Sequence, residues 1–412
     1  NYLSRPNLSE MPIYEGIGSD KNSVILEFGT AYSRCGFTSE PSPRAIVPSN
    51  IYFEPYRKIV NIFEIQDELH AKKALEKYIQ MIYFRYLAVN PKDRRVVVVE
   101  SVFAEKSFRE KLANILFKSL DVPSVIMVPS HVVSMATLGI RTALVVDIGY
   151  QEAISIPVFE GVTLLDAVQF APLGGKSLHR RIMDELIQRK AFYKENETVK
   201  ILKEEILNES ILEDIKFKTC FVTTRERGSL LAQQKLDKSS VQTEEIACKI
   251  TDPPRSIKYP FGGSQILHIP GSLRESVCEL LFEMYGEEHT LPTLILDSIL
   301  KCPLDCRKVL ASNVVLIGGT SMIPGLKIRL LSEIEYLAKF SVRYERFRDQ
   351  LRSIKIKFHR LPCKENYASW LGASIFSTTE LLTMRSITSK QYAQNNEKMT
   401  DWSDFEVYIE SK

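Results

Sequence analysis

Val24-Ile25-Leu26-Glu27-Phe28-Gly29-Thr30-Ala31-Tyr32-Ser33-Arg34-Cys35-Gly36-Phe37 runs from an apolar stretch into a carboxylate, a glycine, small and hydroxyl residues, and then apolar residues again. The pattern predicts two strands joined by a tight glycine-bearing turn. Gly29 lets the backbone approach a ligand, and Thr30 and Ala31 leave their amides unshielded, so the turn has the makings of an anion nest. One such hairpin is weak evidence, because apolar runs ending in an acid and a glycine are common at strand ends. A second copy strengthens it. Ala143-Leu144-Val145-Val146-Asp147-Ile148-Gly149-Tyr150 repeats the order, and Ile154 and Ile156 follow as a return strand. Val314-Val315-Leu316-Ile317-Gly318-Gly319-Thr320-Ser321 sends a third buried strand into a glycine turn. Two hairpins facing one another across a cleft would hold a polyphosphate and its metal, and the third turn the base or sugar end.

These elements, in this order, resemble the fold shared by actins, heat-shock ATPases and sugar kinases. The resemblance is strongest to actin and the actin-related proteins, and it runs over most of the chain. Gly318-Gly319-Thr320-Ser321-Met322-Ile323-Pro324-Gly325 resembles the adenosine-side motif of actin. Leu212-Glu213-Asp214-Ile215-Lys216-Phe217-Lys218-Thr219-Cys220 resembles its nucleotide-covering helix, and Tyr367-Ala368-Ser369-Trp370-Leu371-Gly372-Ala373-Ser374-Ile375 its late helix. The resemblance implies an α/β fold of two domains around a nucleotide cleft. Residues 1–22 would be an N-terminal arm, 23–137 with 367–412 a small domain, and 138–366 a large one. The projecting subdomain of the small domain, about 41–67, is shorter than in actin. The resemblance further implies ATP or ADP with Mg²⁺, bound by Gly29, Thr30, Ala31, Arg34, Asp147, Gly149, Gly175, Lys216, Gly318, Gly319, Thr320 and Met322. Glu27 and Asp147 would hold the metal, mostly through waters. Arg34 stands where actin sets a lysine against the phosphates.

Hydrolysis needs a positioned water and a group to orient it. Counted from Asp147, the glutamine that helps place water in actin falls at Ser130, the second acidic residue of the phosphate loop at Tyr150, and the hydrolytic histidine at Ile154. Gln151 and Glu152 replace small residues and crowd that loop. His131, beside Ser130, is read as a histidine lining a helix, and Phe217 replaces a glutamate that contacts the nucleoside. Turnover is therefore not expected, whereas binding without turnover is.

Composition sets the outer bounds. At 412 residues the chain is long enough for two cores, and 44% apolar with 25% charged residues is ordinary for a globular protein. A net charge of +3 argues for neither nucleic acid nor membrane as partner. No apolar run reaches the roughly 20 residues of a membrane span, and the first residues lack a signal-peptide pattern. Seven scattered cysteines predict reduced thiols and agree with a cytosolic location, and the resemblance implies a cytoskeletal one. Cys302 and Cys306 lack the further ligands of a metal site, so Pro303 between them reads as a helix boundary.

Along the chain, Met11 reads as a start preceded by an upstream extension. Pro48 to Asp67 reads as irregular. Leu75, Tyr78, Ile79, Ile82, Tyr83, Tyr86 and Leu87 keep a helical stripe whose tyrosines belong to packing. Strands follow at Val96–Val99 and Val125–Val128, with a helix over Phe108–Leu116. Ser177 to Lys190 reads as a helix, Tyr193 to Glu209 as a solvated helix, and Arg225 to Arg255 as a surface excursion. Ile354, Ile356 and Phe358 alternate with Lys355, Lys357 and His359 as in a half-exposed strand. The acidic, aromatic tail Asp401-Trp402-Ser403-Asp404-Phe405-Glu406 would dock on a surface.

Three functions fit this reading. Pro12 to Ser19, Ile82 to Val96 and Leu294 to Leu300 resemble the actin-related subunits at the pointed end of dynactin. That implies a non-catalytic, filament-capping subunit supporting dynein-driven transport along microtubules. Its partners would be the terminal actin or actin-related subunit of the dynactin filament and the other pointed-end subunits. The alternatives are a nuclear actin-related subunit of a chromatin-remodelling complex and a weak ATPase of the same fold.

Overall fold

The computed structural model describes residues 22–196, 198–237, 253–283, 289–379 and 384–399. The N-terminal arm, with Met11 and the Pro12 to Ser19 segment, and the Asp401 to Glu406 tail therefore lie outside the described residues.

Strands β1 (Val24–Phe28), β2 (Tyr32–Phe37) and β3 (Ala45–Pro48) lead the small domain. The next pair, β4 (Asn50–Phe53) and β5 (Lys58–Asn61), is followed by β6 (Val96–Glu100) and β7 (Ser124–Pro129). β1 pairs antiparallel with β2 and parallel with β6, and β6 pairs parallel with β7. Both faces of this sheet are covered, which is why its strands read as unbroken apolar runs. Val24, Leu26, Val96 and Val98 pack on the face of the tyrosine helix. Ile25, Val97 and Val99 pack on the opposite face with Val133 and Trp370. The stripe expected over Leu75–Leu87 is a helix, Glu68–Met81, that widens by a π turn to Leu87. Asp67 caps its start, and Tyr78 and Tyr83 are buried beneath the sheet.

The second half repeats the plan. β8 (Ala143–Ile148) and β9 (Ala153–Phe159) form the second hairpin, widened by β10 (Val162–Thr163) and β11 (Gln169–Ala171). Strands β12 (Phe192–Glu195), β13 (Thr198–Ile201), β14 (Ile257–Pro260) and β15 (Gln265–Ile269) make a separate sheet in the order β13-β12-β15-β14. β16 (Val314–Ile317) pairs parallel with β8, as β6 does with β1. Leu144, Val146, Leu316 and the helices Gly175–Gln188 and Leu291–Lys301 share the largest core. Finally β17 (Ile387–Thr388) returns to the edge of β7, and the Ala368–Phe376 helix packs under β1.

Four local expectations are corrected. Pro48 to Asp67 is not irregular: β4 and β5 pair into a hairpin closed by Glu54–Arg57. Phe53, Tyr56 and His70 hold it to the helix below by edge-to-face contacts at 5.4–5.7 Å. Tyr193 to Glu209 is not a helix; it supplies β12 and β13, because β12 finds a partner in the distant β15. The excursion from Arg225 to Arg255, read as irregular, begins as a helix, Arg225–Asp237, and residues 238–252 of it lie outside the described residues. Ile354 to Phe358 is no strand, since it forms only an isolated bridge from Phe358 to Val314. Pro303 does separate two helices, with Cys302 and Cys306 buried on either side. Among the described residues no helix is long and apolar enough to cross a membrane.

Candidate functional site: the cleft between the two hairpins

Register explains why the two hairpins match. Glu27-Phe28-Gly29 ends β1 just as Asp147-Ile148-Gly149 ends β8, and each turn closes over four residues. Arg34 lies opposite Glu27 in the first hairpin, and Ile154 lies opposite Asp147 in the second. The two turns, with the third at Gly318-Gly319-Thr320, line a single cleft. Glu27, Gly29, Thr30, Ala31, Arg34, Asp147, Gly149, Lys216, Gly318, Gly319 and Thr320 all face it. Gly175 and Met322 do not line it; Gly175 sits just behind, where an added Cβ would lie 3.1 Å from Lys216 Nζ.

The first turn is prepared for an anion. Ser49 Oγ donates to the Gly29 carbonyl at 2.6 Å, Asn61 Nδ2 to that of Thr30 at 2.7 Å, and the Ser49 amide to that of Ala31 at 2.9 Å. All three carbonyls are thus held from the side of the projecting hairpin, while the Thr30 and Ala31 amides have no hydrogen-bond partner among the described residues. Two adjacent unpartnered amides at the cleft could serve an anion, as in a nest. The second turn differs. The Gly149 amide donates to the Glu152 carbonyl at 2.9 Å, and the Gly149 carbonyl accepts from the Gly175 amide and Thr320 Oγ1. Gly149 and Gly175 therefore join elements of the fold, and their amides are not available to phosphate. Gly318, at φ +91°, brings the third turn against the second; a Cβ there would lie 2.4 Å from the Ile148 carbonyl oxygen.

Charge accounts for the rest. Glu27 Oε1 meets Arg34 Nη1 at 3.0 Å, yet Glu27 Oε2 and Arg34 Nε are buried without partners. Burial pushes the Asp147 carboxyl up to about 6, and the neighbouring charges of Glu27 and Glu152 add to the shift against the opposing effect of Arg34. Burial likewise raises Glu152. A cleft with underneutralised carboxylates suits a hard divalent cation carrying anionic phosphate. No cluster of three or more His, Cys, Asp or Glu among the described residues could cage a metal directly. Mg²⁺ held through waters and phosphate fits such a donor set. Glu27 and Asp147 would hold it, and it would supply charge neutralisation.

The hydrolytic positions are occupied as the sequence indicates. Ser130 and Ile154 line the cleft. His131 is buried behind it, its Nε2 2.8 Å from Thr163 Oγ1, and burial lowers its pKa to about 4. The Tyr150 hydroxyl donates to Glu209 Oε2 at 2.6 Å. His179, itself buried, stands between Glu209 at 2.6 Å and Glu213 at 2.9 Å, and Lys216 Nζ reaches Glu213 at 2.6 Å. Lys216 thus faces the cleft already paired, while Phe217 points to solvent.

Two charged cleft residues not singled out in the sequence, Glu100 and Glu213, are held by ion pairs. Glu100 is gripped by Arg109 through two bonds of 2.9 and 3.0 Å. Its signal was present, since Val96-Val97-Val98-Val99-Glu100 is another apolar run ending in a carboxylate. Glu213, three residues before Lys216, shares its helical face.

Comparison with known proteins is consistent with this geometry. A family model described as Actin matches residues 18–401. The chain is 26% identical to Actin-related protein 10 of Dictyostelium discoideum, over 90% of this chain and 86% of that one. It is 25% identical to Putative actin-29 of the same organism, over 92% and 96% of the two chains.

Proposed function

This chain belongs to the actin family, and we propose that it is an actin-related subunit that holds Mg-ATP or Mg-ADP as a structural part and caps a filament. The observation that carries the capping reading is the projecting hairpin. β4 and β5 close over Glu54–Arg57 and lie down on the helix below through Phe53 and Tyr56. The resemblance to actin implies a projecting loop here that grips the next subunit, and this hairpin has no length left over for one. An open, head-to-tail polymer needs complementary surfaces at both ends, so growth stops where this subunit binds.

The retained nest, the Asp147 and Glu27 carboxylates, and the Ser130, Tyr150 and Ile154 replacements support binding without turnover. Bound nucleotide at about 1,000 times its Kd would stabilise the fold by roughly 4 kcal/mol. The resemblance of Pro12 to Ser19, Ile82 to Val96 and Leu294 to Leu300 to pointed-end subunits favours dynactin as the assembly, with the terminal filament subunit and the other pointed-end subunits as partners, and the match to Actin-related protein 10 supports an actin-related subunit. Co-purification from cytosol tests the assignment. Recovery with dynactin subunits is expected; recovery only with chromatin remodellers would replace the reading with the nuclear one.

A further inference from the structure

The β13-β12-β15-β14 sheet has an outer face that breaks the usual pattern. Successive strand residues project to opposite faces. Tyr193, Leu267, Ile269 and Tyr259 fill the inner face and are buried. An antiparallel sheet solvated on one side normally carries polar residues there. Here the outward positions hold Val199 at 60%, Ile201 at 66% and Ile266 at 41% exposure. Cross-strand register sets Lys194 between Val199 and Ile266, and puts Phe192 opposite Ile201. Phe192 in turn stacks on His268 at 5.1 Å. β-propensity alone would be met by threonine, so it does not require exposed aliphatics on both β13 and β15. Val199, Ile201 and the facing Phe192 adjoin one another, with Ile266 beyond Lys194, and exposed apolar side chains grouped on one sheet face in this way suit an interaction surface.

Its charge is one-sided. Lys194 and Lys258 both project outward, and alternation sends Glu195, paired with Lys200, to the other side. No carboxylate shares the outer face among the described residues of these strands. We propose that this face docks an acidic amphipathic helix of a partner protein, its apolar stripe on Val199, Ile201 and Ile266 and its carboxylates on Lys194 and Lys258. Four strands span about 14 Å, which a helix of about ten residues covers. The inference does not depend on the capping reading.

The test places the photo-reactive residue p-benzoylphenylalanine at position 201 of the full chain in cells, with position 200, on the opposite face, as control. The expected result is one cross-linked partner segment at position 201, net acidic and apolar at helical spacing, and none at 200. With the probe moved to position 199, the double change Lys194→Glu and Lys258→Glu should cut the yield at least fivefold with the melting temperature unchanged. Overturning results would be no cross-link at 201, a second copy of this chain, its own residues 400–412, a basic or uncharged segment, or a yield indifferent to the charge reversal.

Discussion

Asp147 works against the stability of the nucleotide-free fold. Burial and its acidic neighbours raise its pKa to about 6 from 3.8, so the folded chain holds that proton more tightly than the unfolded one. The contribution is therefore most favourable below about pH 4 and is lost as pH rises through about 6. Asp147→Asn should stabilise nucleotide-free protein at pH 7.5 by roughly 1–3 kcal/mol and abolish the thermal shift on adding Mg-ATP. Melting curves with and without Mg-ATP check both. Glu213 has the opposite sign. Burial alone would raise it, but hydrogen bonds from His179 and Lys216 and the Lys216 charge bring it down to about 2. Its stabilisation is complete above about pH 4.5 and disappears as pH falls toward 2. Glu213→Gln should cost about 2–4 kcal/mol at pH 7 and little near pH 2, as denaturant titrations at the two pH values would reveal. Phosphate release should be far slower than in a hydrolysing actin filament, because Ser130 and Ile154 line the cleft where the resemblance puts a water-orienting glutamine and the hydrolytic histidine. Release that is robust and lost in Asp147→Ala would restore the ATPase alternative.

Among the elements, the strands buried on both faces were legible because covering both faces erases alternation and leaves a run such as Val96–Val99. The tyrosine helix was legible because its stripe persists over several turns. Four-residue strands show too little period to read, and β12 owes its state to a partner some seventy residues away, Gln265 facing Glu195. The Ile354–Phe358 alternation misled for the converse reason: the pattern is there, but only Val314 pairs with it. In the site, the carboxylates and glycines were readable as residue types. That the Gly149 amide closes its own turn was not, since it depends on which carbonyl the folded loop presents. The Ala368–Phe376 helix offers an element-scale test. A Cβ on Gly372 would lie 1.8 Å from the Val133 carbonyl oxygen on the neighbouring helix. Gly372→Ala should then cost about 3 kcal/mol by urea denaturation, and a loss below roughly 0.5 kcal/mol would contradict the close backbone approach.

At the scale of the whole molecule, two hairpins with matching register face a common cleft, and Glu64 reaches Lys176 across it at 3.3 Å. Nucleotide bound there would touch the turns of both halves, so its loss is expected to lower the melting temperature of the entire chain in one transition. In the capping proposal the projecting hairpin would set the limit on assembly. Tyr52 and Ile59 form an exposed cross-strand pair on it, 52% and 69% accessible, but the turn beyond them closes at once. Under the capping proposal, a subunit so built would dock on an existing filament end and offer no grip to the next. The most direct test follows preformed filaments of actin-related subunits one by one in Mg-ATP, with this protein added, alongside the protein alone. Growth should stop at one end and continue unchanged at the other, with the isolated chain remaining monomeric. Filaments assembled from this chain by itself, or unaltered growth at both ends, would contradict the account.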